Sequence, residues 1–156
     1  MNSAEISFRP ATKADLPEIV ALLANDPLGA FREHSGGAPA ASYEAAFEAI
    51  QGDTNHEIIV PILDGTVVGV LQLSFIPHLT YEGGWRAQIE GVRVSEGLRG
   101  RGVGRALIEW AIARAQDRGC HLVQLTTDQR RPEALSFYLG LGFEATHHGL
   151  KLHFDP

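Results

Sequence analysis

Apolar and polar positions change rhythm several times along the chain. "EISFR" (Glu5 to Arg9) alternates and ends at Pro10, which predicts a first strand. Next, Leu16, Ile19, Val20 and Leu23 fall at i, i+3, i+4 and i+7, one face of a helix. Thr12 is read as its N-cap, with Asp15 three residues on and Pro17 in the first turn, where proline is tolerated. "DPLGAFREHSGGAPAA" (Asp26 to Ala41) breaks the periodicity with three glycines and two prolines, so a long loop is expected. A second helical face follows in Tyr43, Ala46, Phe47 and Ile50, with Ser42 as its expected N-cap.

The middle of the chain reads as strands. "HEIIVPIL" and "TVVGVLQLSFI" flank Asp64-Gly65, a hairpin signal, and Pro61 suggests an edge or a bulge. "HLTYEGG" is a turn and "WRAQIEGVRV" (Trp85 to Val94) a fourth strand. "GVGRALIEWAIARAQDRG" predicts a helix with Val103, Leu107, Trp110, Ala111 and Ile112 on a broad apolar face and Gly119 past its end. "HLVQLTT" is a buried-type fifth strand, "RPEALSFYLGLGF" a short helix, and "EATHHGLKLHF" one or two closing strands around Gly149. No repeat or linker interrupts this order, which predicts one α/β or α+β domain over residues 1–156.

Charge narrows the function. The net charge is −6, which argues against a general nucleic-acid binder. Yet Arg93, Arg99, Arg101 and Arg105 crowd into one stretch, a basic spot on an acidic body. The single cysteine, Cys120, excludes a disulfide framework, and a reducing compartment fits. "MNSAEISFRP" has no apolar signal core, and no apolar run is long enough to span a membrane, so the cytoplasm is expected. His147 and His148 are adjacent, and neighbours on a strand point to opposite faces, so no metal site is expected.

The basic spot lies where a strand gives way to a helix, in Arg99-Gly100-Arg101-Gly102-Val103-Gly104. Glycines let a ligand approach the backbone. A helix start offers unpaired N–H donors at a positive dipole end, a site suited to phosphate oxygens. The Lys-Ser/Thr pair of the nucleoside-triphosphate loop is missing after Gly104. The spacing G-x-G-x-G also departs from the dinucleotide fingerprint.

The stretch resembles the [QR]-x-x-G-x-[GA] acetyl-CoA loop of the GCN5-related N-acetyltransferases, with Arg99, Gly102 and Gly104 filling the pattern. "ALSFYLGLGF" (Ala134 to Phe143) resembles that family's A-x-x-F/L-Y-x-x-x-G-F ending, and the element order matches over nearly the whole chain. The resemblance implies a mixed, mostly antiparallel sheet, splayed between the fourth and fifth strands and flanked by about four helices. It implies acetyl transfer from acetyl-CoA, without a metal, to a primary amine of a small molecule. A protein or peptide acceptor and a non-catalytic acyl-CoA sensor are the alternatives. Homodimers are common in the family.

Residue by residue, the resemblance places pyrophosphate on Arg99, Gly100, Arg101, Gly102, Val103 and Gly104, with Arg105 just inside the helix. The pantetheine arm would run along Val92, Arg93 and Val94, where an amide also polarises the thioester carbonyl. Tyr138 matches the family tyrosine that protonates the leaving thiolate; otherwise it is a core tyrosine. Arg131 stands where many members have Asn, and could reach a phosphate or a pantetheine carbonyl. Glu90 is the candidate base for the acceptor ammonium, or else a surface carboxylate. Alternation puts Gln88, Glu90 and Val92 on one face unless a bulge intervenes. The acceptor pocket is expected from Phe31, Arg32 and Glu33 of the long loop, with Gln72, Ser74, His78 and Tyr81. Arg32 and Glu33 would clamp a carboxylate and an amine, or pair with each other. Cys120 is expected to be a small core residue.

Overall fold

A computed structural model describes residues 5–26, 28–31, 33 and 40–155. The chain falls into two compact units, Met1–Gln124 and Leu125–Pro156.

The first unit holds the sheet. In chain order it comprises β1 (Ser7–Pro10), α1 (Leu16–Ala24), α2 (Ala41–Gln51), β2 (His56–Leu63), β3 (Thr66–Val67), β4 (Gly69–Pro77), the one-turn α3 (Thr80–Gly83), β5 (Trp85–Val94), α4 (Val103–Asp117) and β6 (Leu122–Gln124). The strands lie in the order β1-β2-β4-β5-β6, with β3 also on β2. All pairings are antiparallel except β5–β6, which is parallel. The expected third strand is therefore two strands, β3 and β4.

That division has a cause in Pro61. It sits in β2, an inner strand, and not at an edge. Ile59 pairs with Leu71 and Ile62 with Val67, so three residues (68–70) oppose two (60–61). The bulge lets the Val68 amide donate to the Pro61 carbonyl at 3.0 Å. The Asp64-Gly65 turn is of the expected kind, with φ of 49° and 76°.

Even-numbered β2 residues and Val70 pack against α1 and α2. Ala11, Leu16, Ile19, Phe47, Val60, Val67 and Val70 form one buried cluster. On the opposite sheet face Leu73, Phe75, Ala87 and Ile89 are buried, as are Val103, Leu107, Ile108, Ala111 and Ala115 of α4. The five α4 residues recur at helical spacing. Trp110 and Ile112, expected on that stripe, lie at its margin, and Trp110 stacks on Phe8 at 6.0 Å.

Capping partly follows expectation. A 3-10 turn, Lys13–Asp15, precedes α1, and the Thr12 amide donates to the Asp15 carboxylate at 2.7 Å. Ser42 is not the N-cap of α2; Ala40 is, because the helix starts at Ala41, two residues earlier than a Ser42 cap requires.

The second unit contains α5 (Pro132–Gly140), with Pro132 at its start as expected. The closing strands do not form: residues 143–155 join no ladder. Leu150, Leu152 and Phe154 alternate as a strand would, yet they are exposed. Alternation gives a segment two faces, but a strand also requires a partner for its N–H and C=O groups.

Candidate active site

β5 organises the site. Its Arg86 to Gln88 segment pairs with β6, and no later residue of β5 does. From Ile89 to Val94 the edge of β5 turned away from β4 has no strand partner among the described residues. The expected splay is thus present, and it leaves backbone polar groups available beside the glycine-rich stretch.

The bulge foreseen as a possibility also exists. Glu90 pairs with Gln72 and Arg93 with Val70, so two β5 residues, Gly91 and Val92, oppose Leu71 alone. Gly91 adopts φ +63° there. The alternation is reset. Val92 does not share the face of Glu90; Gln88 and Arg86 do.

At the end of β5 the chain makes a 3-10 turn, Glu96–Leu98, and enters α4 through Gly102 at φ +84°. That left-handed entry suits glycine. The ladder of α4 begins with the Ala106 amide donating to the Gly102 carbonyl at 3.0 Å. The amides from Gly102 to Arg105 precede it and have no acceptor within the helix. A side chain built on Gly100 or Gly102 would meet nothing within 4 Å, so this backbone borders open space. Arg99 donates to the Asn25 carbonyl at 3.2 Å, and Arg105 pairs with Glu109 at 2.9 Å.

Gln72, Ser74, Arg86, Gln88 and Glu90 lie on the α1–α2 face of the sheet, in facing registers. Glu90 is exposed. The Ser74 hydroxyl and His56 Nδ1 are 2.8 Å apart, and Gln124 Nε2 donates to Gln88 Oε1 at 2.9 Å. A polar row therefore crosses four strands next to the candidate base. His78 lies at the far end of β4. Its Nε2 is 2.9 Å from His121 Nε2, its Nδ1 is 2.8 Å from the Thr80 hydroxyl, and Tyr81 packs on both imidazoles. Lost hydration, then the nearby charges of Arg86 and His121, push the His78 imidazole below its usual range.

A family model for the acetyltransferase (GNAT) family matches residues 21–143, most of the chain. The chain belongs to the GNAT family. An aminoalkylphosphonate N-acetyltransferase of Salmonella typhimurium is 30% identical over 106 residues, 68% of each chain. A crystal structure from Bacillus halodurans, described as a transcriptional regulator, is 51% identical, with a TM-score of 0.93 over 96% of this chain and all of that one. An aminoglycoside N-acetyltransferase solved with CoA shares the fold, with a TM-score of 0.79 at 19% identity over 99% of this chain and 98% of that one. GNAT enzymes are N-acetyltransferases, and the splayed β5 edge, the left-handed glycine entry to α4 and the mixed sheet are this chain's version of the fold.

Several expected site residues are committed elsewhere. The Arg93 side chain does not point to the splayed edge: its Nε donates to Asp26 Oδ2 at 3.0 Å, and the two side chains are 14% and 6% exposed. Arg93 Nη1 also donates to the Val92 carbonyl at 2.8 Å, so the guanidinium is held by the protein, and what Val92, Arg93 and Val94 present on the edge without a strand partner is backbone. Glu33 accepts the Tyr43 hydroxyl and so is tied to α2. Arg32 lies outside the described residues, as does the side chain of Phe31. Within the second unit, Tyr138 is half-buried and meets Phe137 and Phe143 edge-on at 5.1 and 5.7 Å. Arg131 takes the N-cap position of α5. Burial pushes the Cys120 thiol up, against thiolate chemistry. No helix among the described residues is long and apolar enough to cross a membrane.

Arg86, His56 and His121 escaped the sequence reading, as did the pairing of Asp26, at the start of the long loop, with Arg93. The signal for Arg86 was there: counting back by two from Glu90 through Gln88 reaches it.

Proposed function

We propose that this GNAT protein transfers the acetyl group of acetyl-CoA directly to the primary amine of a small molecule. The observation that carries the reading is the unpaired β5 edge leading into the open glycine entry of α4, with the exposed Glu90 carboxylate on the same strand. The amides from Gly102 to Arg105 and the guanidinium of Arg101 receive the pyrophosphate, and Val92 to Val94 receive the pantetheine arm. These residues fit the cosubstrate: exposed backbone donors, glycine where a side chain would intrude, and positive charge.

An alkylammonium must lose a proton before its nitrogen can attack. Glu90 takes that proton, directly or through one water. The nitrogen lone pair forms the new C–N bond at the thioester carbonyl, the C–S bond breaks as the carbonyl re-forms, the sulfur leaves with its electron pair, and the nitrogen gives its surplus proton to water to leave the neutral amide. An amide near Val92 to Val94 stabilises the negative oxygen as it develops. Tyr138 is assigned to protonate the departing thiolate. Support for a small amine comes from the aminoalkylphosphonate acceptor in the name of the Salmonella relative.

The test is release of free thiol from acetyl-CoA across amines, amino acids, polyamines, aminoglycosides and peptides. Saturable release with a small amine supports the reading. Turnover confined to peptides would replace it with a protein acceptor. The description of the Bacillus halodurans structure as a transcriptional regulator favours a second reading, in which the fold senses acyl-CoA. Tight acetyl-CoA binding with no thiol release from any acceptor would establish that second reading.

A further inference from the structure

Strand arginines in this protein are paired, with one exception. Arg9 meets Asp15 and Arg93 meets Asp26. Arg86 meets no carboxylate among the described residues, and its Nε is buried without a hydrogen-bond partner. Its one hydrogen bond among the described residues is long, from Nη1 to Gln124 Oε1 at 3.4 Å. Arg86 as a whole is half-buried, but a buried guanidinium nitrogen left without a partner is costly unless an anion completes it. His78 and His121, whose Nε2 atoms are 2.9 Å apart at this end of the sheet, bring no carboxylate to it. Arg86 is thus the positive charge at this end of an otherwise polar face.

The position matters for chemistry. Arg86, Gln88 and Glu90 occupy successive same-face positions of β5, opposite Ile76, Ser74 and Gln72. Arg86 and Glu90 are therefore about 14 Å apart along the strand, at ~3.4 Å per residue. Between them on the same face lie Gln88 and, across on β4, its partner Ser74, a span that two long side chains and a short molecule can bridge.

We propose that Arg86 binds an anionic group on the acceptor, a phosphonate, phosphate or carboxylate a few bonds from the amine that faces Glu90. The inference rests on the small-amine reading and makes it narrower: the acceptor is a short zwitterion, held at its anionic end by a charge-assisted fork. Arg86 then determines specificity, and Glu90 the proton transfer.

The experiment compares acceptors of matched length on the full chain: 2-aminoethylphosphonate, 2-aminoethyl phosphate, β-alanine, ethanolamine and 1,3-diaminopropane. Anionic acceptors are expected to exceed the other two in kcat/KM by at least about 10-fold, and their order names the anion. Arg86→Gln should lower kcat/KM for anionic acceptors by about 100-fold, chiefly through KM, and change the others by less than about 3-fold; Arg86→Lys should recover part of the loss. Arg86→Met should not lower Tm, since the guanidinium has no full set of partners to lose. Equal use of neutral and anionic acceptors, or an equal loss on all of them in Arg86→Gln, overturns the proposal. Calorimetry with n-propylphosphonate, which has the anion and no amine, decides the anion site apart from turnover. Binding that Arg86→Gln abolishes supports it, and no binding overturns it. Absence of transfer to every amine, by contrast, counts against the small-amine reading.

Discussion

Arg93 donates to Asp26 at 3.0 Å, and this pair joins the segment just after α1 to the final turn of β5. Both side chains are largely withdrawn from water. Leu23, at the end of α1, would lie 3.7 Å from a Cβ on Gly91, so the same end of α1 is packed on the β5 bulge. The end of α1 is thus fastened to β5 on both sides of the bulge, between the segments proposed to take the acceptor and the cosubstrate. Breaking a buried pair strands the surviving charge, at a cost of about 3–5 kcal/mol. Asp26→Ala should lower stability by roughly 3 kcal/mol and raise KM for the acceptor more than it lowers kcat. Denaturant unfolding and steady-state kinetics on the same variant check both. A stability loss with unchanged KM would confine the pair to the fold.

Gly102 stands at φ +84° with open space beyond its missing Cβ. Gly102→Trp puts bulk where the pyrophosphate is expected. The left-handed entry is strained for tryptophan by about 1–2 kcal/mol, which a domain of ordinary stability survives. Acetyl-CoA affinity by calorimetry should fall at least 100-fold while the cooperative thermal transition is retained. Unchanged affinity would remove the glycine stretch from the binding site.

Glu90 is exposed, and Gln72 is its cross-strand neighbour. If it takes the acceptor proton, Glu90→Gln should hurt most where free amine is scarce. Turnover should drop about 100-fold near pH 6–7 and converge toward wild type as the pH approaches the amine pKa near 10. A wild-type pH profile with lower amplitude would assign Glu90 a binding role.

The sheet, the hairpin turn and the glycine entry were legible because each depends on local residues: alternation, Asp64-Gly65, and Gly102 before an apolar helix. The two bulges were less so. Pro61 announced an irregularity, but only pairing shows that it lies on an inner strand and is relieved at Val68. Gly91 moved Val92 off the face of Glu90 and brought Arg93 onto it, toward Asp26, a partner 67 positions away. Long-range pairs of this kind leave no spacing in the sequence. The closing segment erred the other way: Leu150, Leu152 and Phe154 have a strand's alternation, and alternation alone does not supply a neighbour.

Tyr138 tests the other half of the proton account. Its ring is held edge-on by Phe137 and Phe143, contacts a phenylalanine would keep. Tyr138→Phe should leave Tm and acetyl-CoA affinity close to wild type and lower kcat by about 100-fold, the low end of general-acid contributions. A single-turnover measurement ensures that chemistry is being read. Unaltered chemistry would make Tyr138 a packing residue.

Asp15 sets how the fold responds to acid. Its carboxylate accepts two bonds from Arg9, at 2.7 and 3.0 Å, and one from the Thr12 amide at 2.7 Å. The Arg9 guanidinium, against some loss of hydration, holds the Asp15 carboxyl at about 2. A carboxyl whose folded value is depressed stabilises the fold above the unfolded value near 4, and that stabilisation is lost as pH falls through about 2. Asp15 is 8% exposed, but the Arg9 side chain is 43% exposed, so solvent screens the pair. We expect Asp15→Asn to cost roughly 1–2 kcal/mol at pH 7, a Tm lower by about 2–8 °C. The gap from wild type should narrow between about pH 5 and pH 2, because the wild-type carboxyl then protonates and both proteins carry a neutral side chain. Urea unfolding of both proteins at pH 7, 5 and 3.5 checks this. A gap that stays constant across that range would mean that the hydrogen bond to Thr12, and not the charge, carries the stabilisation.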